Sequence, residues 1–332
     1  MDFGFSDEQG AIKETAREML ANRCPMVKVR EAAESRSYPE DLWEEIVHLG
    51  WPGIAISEEH GGQGLGMVEL VILCEELGYA CAPTPFLSNA VAGLILAHAG
   101  SDDQRERWLS GVASGESRGA SELTAPDESP VVADAAGAAF VVLSDGDAAR
   151  LVEGDAAEIQ PVELIDPTRS FARVLADGGE AVSGDVEGAI DRALVALAAE
   201  LVGVAQRALD MAVDYAKDRQ QFDRPIGAYQ AVSHRCAEML YETEEARSLT
   251  YYAAWCADAE PESLPMAASM AKARASDAAW RVTANALQVH GGIGFTWEHD
   301  LHFLLKRAKV GGRLLGDPRR HRDRVATLGG LG

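Results

Sequence analysis

Three long stretches of helical pattern constrain the fold of this chain most strongly. The first, Ile190 to Asp218, carries alanine and leucine through its middle, as in a helix that is buried on several sides. The second runs from about Ala228 to Ala259, and the third runs from Met266 to His290, where Gly291 and Gly292 end it as a glycine cap. Three consecutive helices of this length predict an antiparallel helical bundle.

The first part of the chain carries shorter helical patterns. Ser6 followed by Gln9 fits an N-terminal capping box, and Met67 to Gly78 is typical of a further helix. Between them, Trp51 to Ile56 predicts a short extended stretch. We therefore expect an N-terminal helical domain over residues 1–116.

Composition shifts after residue 116, where alanine, glycine, aspartate and valine become frequent. Short apolar runs such as Ala138 to Leu143 are separated by turn signals such as Asp145-Gly146. These runs predict a small β-domain. The predicted fold class is mainly α with a small central β-domain, divided into residues 1–116, 117–187 and 188–332.

Composition excludes several classes of function. The net charge of −23 argues against nucleic-acid binding, which needs clustered positive charge. There is no run of eighteen apolar residues and no signal-peptide pattern, so we expect no membrane span. The five cysteines form no Cys-x-x-Cys pair, which favours buried, reduced thiols in a cytoplasmic protein. The histidines lack metal-ligand spacing, so no metal is predicted.

One basic cluster departs from the acidic composition. It lies near the C-terminus and consists of Lys306, Arg307, Lys309, Arg313, Arg319, Arg320, Arg322 and Arg324. We interpret it as a polar subunit interface or a solvated helix face. The alternative is a contact for an anionic ligand such as the ADP part of a nucleotide cofactor.

Two motifs carry the candidate chemistry. Arg219 at the end of the first long helix can make a forked contact to a pyrophosphate, and Phe222 can stack on a flat ring. Gln288 offers an amide side chain, followed by Gly291 and Gly292, whose bare backbone allows close approach of a ligand. The first motif alone is more often a capped helix end and a loop, but together with the second it predicts a cofactor site.

Taken together, the two motifs resemble the C-terminal flavin-binding signature of the acyl-CoA dehydrogenases. Three N-terminal segments also look like this family: Ser57-Glu-Glu-His-Gly-Gly-Gln-Gly64, Glu75-Glu-Leu-Gly78 and Ala82-Pro-Thr-Pro85. The resemblance covers most of the chain. It implies an N-terminal helical domain, a β-domain and a C-terminal four-helix bundle that mediates dimer and tetramer formation.

The resemblance also implies FAD as the cofactor. In the family these motifs reach across a dimer and hold the ADP part of the neighbour's FAD. The matching positions in this sequence are Arg219, Gln221, Phe222, Gln230, Gln288, Gly291 and Gly292. Asp223 stands where the family usually has glycine, which puts an acid near a pyrophosphate unless it turns away.

The catalytic half of the site departs from the family. The family's Arg-Asp-Ala-Lys followed by Glu-Gly reads here as Lys306-Arg-Ala-Lys309 followed by Leu315-Gly316, and leucine cannot abstract a proton. The alternative position of the base falls near Ala193, which also has no carboxylate. Glu200 and Asp317 are the nearest substitutes, and Asp191 and Glu187 are weaker ones. We interpret Glu200 as an ordinary buried or paired acid, so the catalytic residue stays unassigned.

The predicted β-domain also departs from the family. The flavin-contacting run reads Thr124-Ala-Pro-Asp-Glu-Ser-Pro130, and no tryptophan lies between Trp108 and Trp255 to pack on a flavin. The sequence therefore predicts the ADP side of the site but not the flavin-ring side.

These features favour a subunit of a heteromeric FAD-dependent acyl-CoA dehydrogenase. A paralogous subunit in a heterotetramer would supply the base and the flavin-ring pocket. The substrate would be an acyl-CoA thioester, possibly a steroid side-chain ester, and an electron-transferring flavoprotein would accept the electrons. The alternatives are a self-sufficient homomer with a relocated base and a flavin-free structural partner.

Overall fold

The computed structural model describes residues 4–122, 131–145 and 148–331, and helices dominate both ends of the chain. The helices are α1 Asp7–Arg23, α2 Met26–Ser35, α3 Glu40–His48, α4 Met67–Tyr79, α5 Phe86–Ala99, α6 Asp102–Ser114, α7 Val186–Asp218, α8 Gln230–Ala259, α9 Leu264–His290, α10 Leu301–Gly311 and α11 Pro318–Leu328. The strands are β1 Gly119–Ser121, β2 Val132–Ala133, β3 Phe140–Asp145, β4 Ala148–Glu153, β5 Glu158–Pro161, β6 Phe171–Leu175, β7 Glu180–Val182, β8 Gln220–Gln221 and β9 Arg224–Pro225. The predicted class, mainly α with a small central β-domain, is confirmed.

The N-terminal helices begin where their caps predict. Ser6 Oγ accepts a hydrogen bond from the Gln9 amide, and the Gln9 side chain accepts one from the Ser6 amide, which forms the predicted capping box of α1. The N-terminus of α4 is held by a distant residue, because Asp258 of α8 accepts hydrogen bonds from the Met67 and Val68 amides. This carboxylate ties the N-terminal helices to the C-terminal bundle.

The stretch after α3 is not extended, so that prediction was wrong. Trp51–Gly53 forms a short 3-10 helix, in which the Ile54 amide donates to the Trp51 carbonyl at 3.1 Å. Pro52 and Gly53 favour a turn over a strand, and Gly50 enters it with a positive φ of 72°. Backbone bonds from Gln63 and Leu65 then fold the following glycine-rich turn back onto this segment.

The central strands form two small sheets. One has the order β1-β3-β4-β7, and the other has the order β2-β6-β5. The apolar run around Phe140 is a strand as predicted, and it pairs antiparallel with β4 from Phe140–Glu153 to Asp145–Ala148. Gly146 of the predicted turn lies outside the described residues. Domain boundaries at residues 116 and 187 stay a prediction.

The C-terminal helices pack around α7. This helix contacts α4 and α5 of the N-terminal part and α8, α9 and α10 of the C-terminal part. Alanines such as Ala196, Ala199 and Ala205 are fully buried along it, and these small side chains let several helices approach closely. Among the described residues, no helix is long and apolar enough to cross a membrane. All five cysteines are free, as expected.

Two glycines set the contact between α4 and α7. A Cβ atom built on Gly78 would lie 2.1 Å from the Glu200 carbonyl oxygen, and one on Gly203 would lie 1.9 Å from the Glu75 carbonyl oxygen. Both clashes are with backbone, which cannot move aside as a flexible side chain can. The two helices are therefore in backbone contact, which fixes how the N-terminal helices sit on the bundle.

We expect Gly203→Ala to destabilise the protein by at least about 1–3 kcal/mol, because an added methyl group overpacks this contact. Gly10→Ala in α1 is the matched control: nothing lies within 4 Å of its added Cβ. Alanine there should stabilise the helix by about 0.5–1 kcal/mol. Urea unfolding of the two variants measures both effects, and equal stabilities would contradict the backbone contact.

Candidate functional site

The first predicted cofactor motif forms an exposed hairpin at the end of α7. Arg219 ends the helix and its side chain is exposed, and the strands β8 and β9 pair directly after it. The two residues of the tight turn, Phe222 and Asp223, have φ values of 53° and 63°. This geometry matches a type I′ turn, which usually contains Asn or Gly. The Phe222 ring is 88% exposed at the tip of the hairpin.

The second motif ends α9. Gln288 is exposed on the last turn, and Gly291 has φ 64° and ψ −138°, a conformation that glycine adopts readily because it has no Cβ. Gly291 and Gly292 are exposed, and an added Cβ on either meets no atom within 4 Å. The backbone of this turn is therefore open to an incoming ligand.

The fold brings the two motifs together. Tyr215 lies one helical turn before Arg219, and His290 directly precedes Gly291. Their rings stack with centroids 4.5 Å apart and an angle of 24° between planes. This contact could not be predicted from the sequence, which shows only an aromatic residue near each motif. The Arg219 guanidinium, the exposed Phe222 ring and the exposed Gly291–Gly292 turn therefore lie at the same end of the bundle.

The other predicted contacts lie nearby but differ in availability. Gln230 is the exposed first residue of α8. The Gln221 side-chain amide already donates to the Gln220 carbonyl at 2.7 Å. The Arg224 guanidinium lies 4.0 Å from the Tyr229 ring centroid, and the Tyr229 hydroxyl donates to the Gln221 carbonyl at 3.2 Å. These contacts stiffen the hairpin that carries Phe222.

Glu200, the first substitute base, is buried in an ion network. Its Oε1 atom accepts from Arg169 and from Arg307, the latter at 3.0 Å. Arg307 also donates to Asp166 at 2.8 Å and to the Thr168 hydroxyl. Burial alone would lower the pKa of Arg307, but the carboxylates of Asp166 and Glu200 raise it. Glu200 is thus a paired structural acid, as interpreted from the sequence.

The other acids are also engaged. Asp317 caps α11 and accepts from the Arg320 amide at 2.9 Å, and the backbone hydrogen bonds from Arg320 and Arg319 lower its pKa. Asp191 and Glu187 both pair with Arg324. Burial raises the pKa of Asp191.

Buried side chains hold the loop around Leu315, the position that matches the glutamate of the resembled family. Leu315 has a φ of 58° and packs against the hydrophobic core. Lys272, which is fully buried, donates to the Gly312 carbonyl at 3.2 Å and to the Gly316 carbonyl at 3.1 Å. His321 Nε2 donates to the Leu315 carbonyl at 2.9 Å. Reasoning from the sequence missed Lys272, because a lysine in an alanine-rich helix is normally expected at the surface.

The basic C-terminal cluster is only partly a solvated face. Arg307 is 1% exposed, so its predicted place at an interface, on a helix surface or against an anionic ligand was wrong. Its partners come from distant segments, and for this reason the local charge run could not reveal them. Arg319, by contrast, has a side chain that is 86% exposed.

A cavity of about 800 Å³ lies between the turn linking α2 to α3 and the β-region. Its wall includes Trp43, Phe171 and Arg169. At its base, the Tyr38 hydroxyl donates to Asp134 and accepts from the Ser170 amide at 2.7 Å. The cavity contains none of the predicted cofactor residues. The predicted flavin-ring run, Thr124–Pro130, lies outside the described residues.

Known families match both helical parts of the chain. Residues 6–116 match the family described as acyl-CoA dehydrogenase, N-terminal domain, and residues 186–327 match the acyl-CoA dehydrogenase, C-terminal domain. FAD is the cofactor of this family, which confirms the cofactor prediction. Among the described residues, no group of His, Cys, Asp and Glu side chains could hold a metal ion.

Two relatives are similar over nearly their whole length. Acyl-CoA dehydrogenase IpdE2 of Mycolicibacterium smegmatis is 34% identical over 97% of this chain and 98% of the relative. IpdE2 of Mycobacterium tuberculosis is 36% identical over 94% of each. A solved structure, the Tcur3481-Tcur3483 steroid ACAD G363A variant, matches with a TM-score of 0.90, 28% identity and 98% coverage of both chains.

We expect Glu200→Gln to destabilise the protein by about 3–5 kcal/mol, because it leaves two buried arginines short of a counter-charge. Asp317→Asn is the matched control, since asparagine caps a helix about as well as aspartate. Thermal unfolding compares the two variants. A Glu200→Gln protein that is as stable as Asp317→Asn would show that Glu200 is not a structural partner.

Proposed function

The chain belongs to the acyl-CoA dehydrogenase family, and from this premise we propose that it is one subunit of a heteromeric acyl-CoA dehydrogenase. In this proposal it contributes the ADP-side contacts to an FAD whose flavin ring and catalytic base lie in a paralogous partner. The reaction is the α,β-dehydrogenation of an acyl-CoA thioester. Membership of the family supports an oxidoreductase activity for the assembly.

The separation of the two half-sites along α7 carries this proposal. Glu200 lies in the middle of the helix and Arg219 at its end, about 28 Å apart at 1.5 Å per residue. The end at Arg219 is open and exposed, whereas the positions where the family holds its base are closed by Leu315 and Ala193. The half-site at Arg219 can therefore bind one part of a ligand, whereas the half-site at Leu315 and Ala193 lacks a group that removes a proton.

The residues at the open end fit a flavin nucleotide. Arg219 can pair with a pyrophosphate through a charge-assisted fork, Phe222 presents a flat apolar face, and Gly291 and Gly292 allow close approach of a phosphate or ribose. FAD, when bound, supplies the hydride acceptor of the dehydrogenation. This chain's own part is to bind and orient the nucleotide end of the cofactor and to shield it from water.

The substrate class follows from similarity alone. A structure that this chain resembles over 98% of its length is described as a steroid acyl-CoA dehydrogenase. We therefore propose a bulky, steroid-derived acyl-CoA thioester as the substrate of the assembly. An electron-transferring flavoprotein as electron acceptor and a cytoplasmic location complete the proposal.

The self-sufficient homomer is the weaker candidate. It needs a relocated base, but Glu200 forms ion pairs with two arginines, and Asp317 is occupied as the cap of α11. If the isolated chain, purified alone, carried one FAD per subunit and oxidised acyl-CoA, this candidate would replace the heteromer. A colourless chain that gains flavin only with a paralogous subunit would support the shared site.

We expect Arg219→Ala to weaken FAD binding by the assembled enzyme about ten- to hundredfold, because a charge-assisted hydrogen bond contributes about 1.5–3 kcal/mol. Titration of the deflavinated complex with FAD measures the change. Arg23→Ala, which removes an exposed arginine at the end of α1, is the control and should bind FAD like the unmodified chain. Equal FAD affinity for all three proteins would instead support a flavin-free structural partner.

A further inference from the structure

The two cofactor motifs need a fixed spacing to serve one ligand. Arg219 follows α7 and Gly291 follows α9, so no local chain segment sets the distance between them. The hairpin tip and the glycine turn are both exposed. The packing of α7 against α9, including the contact at these two helix ends, therefore holds the motifs in register.

The ring stack of Tyr215 and His290 lies at this joint. Tyr215 is one turn from Arg219 on the same helix face, and its carbonyl accepts from the Arg219 amide at 2.9 Å. His290 is the last residue of α9 before Gly291. A centroid distance of 4.5 Å with nearly parallel planes puts the two rings in direct stacking contact.

The His290 ring is locked in orientation. It is 4% exposed, and its Nδ1 atom donates to the Ala286 carbonyl at 2.8 Å. Burial lowers its pKa, so the ring is neutral near pH 7. On its other side, the His299 ring makes an edge contact at 4.5 Å, and His299 Nδ1 accepts from the Leu301 amide at the start of α10. The ends of α7 and α9 and the start of α10 thus meet at one buried imidazole.

We propose that the Tyr215–His290 stack is a positioning device that sets the spacing between Arg219 and the Gly291–Gly292 turn, so that both reach one flavin nucleotide. The inference rests on the proposed function, since it assigns the stack a role only where these motifs bind FAD. His290 itself faces the protein interior and acts through the two motifs. It is a positioning residue.

The test compares FAD affinity in the assembly that carries the cofactor, which is the complex with the paralogous partner or, if the chain binds FAD alone, its homomer. His290→Ala should raise the Kd for FAD about three- to tenfold, the range expected for a lost aromatic pair. His290→Phe keeps a stacking ring and should restore the affinity to within about twofold. Tyr252→Ala, which removes a stacked ring from the Tyr252–Trp255 pair on α8, is the control and should leave the Kd unchanged.

A double-mutant cycle separates positioning from general stability. If the stack acts through Arg219, His290→Ala should change the Kd by less than about twofold once Arg219 is already alanine. If the two effects simply multiply, the stack does not position Arg219 and the inference is wrong. Should His290→Ala fail to fold, Tyr215→Leu serves the same cycle, because leucine keeps the packing volume and removes the ring.

The outcomes also separate this inference from the function on which it rests. If Arg219→Ala leaves FAD binding unchanged, the proposed function fails. If Arg219→Ala weakens FAD binding but neither His290→Ala nor Tyr215→Leu does, only the positioning role fails. If the apo proteins lose thermal stability while their FAD affinity is unchanged, the stack is structural and the inference is overturned.

Discussion

The placement of the three parts of this chain depends on one buried guanidinium group. Arg307 donates to the Ala82 carbonyl after α4, to Asp166 and Thr168 before β6, and to Glu200 in α7. A buried charge is costly unless it is paired, and here the partners come from three separate segments of the chain. The N-terminal helices, the β-region and the bundle must therefore close around Arg307 together.

This network occupies the part of the fold where the family's sequence pattern places chemistry. Arg307 stands where the family has aspartate, and Leu315 stands where it has glutamate. The Leu315 side chain packs on the core while Lys272 and His321 hold the backbone of its loop. A carboxylate at position 315 would lose the apolar contacts that Leu315 makes with the core. Position 315 therefore carries no group that could remove a proton.

The sequence patterns correctly predicted the features that depend on short-range interactions. The capping box at Ser6 and the long alanine-rich helices follow from short-range bonds and from helical periodicity, and they were right. The prediction of an extended stretch from Trp51 to Ile56 was wrong, because the Pro-Gly pair favours a turn although the residues around it are apolar. Arg307 could not be predicted to be buried, since its partners lie far away in sequence and only the folded chain brings them together. The cofactor motifs were recognisable as residue types, but the ring stack that joins them was not.

The end of the bundle that carries Phe222 and Gly291, by contrast, is strained and exposed to solvent. Phe222 holds a positive φ that bulky residues avoid, at a cost on the order of 1–3 kcal/mol, and it exposes nearly its whole ring to solvent. The backbone of Gly291 is also uncovered, since no atom lies within 4 Å of a Cβ built on it. The Tyr229 ring makes an edge contact with the Phe222 ring at a centroid distance of 6.5 Å, but it leaves most of Phe222 uncovered. Strained backbone of this kind is common at ligand-binding sites, which is consistent with the proposed flavin contact. In the proposed heteromer, the paralogous subunit supplies both the base that the closed half lacks and the rest of the ligand site that the open half lacks.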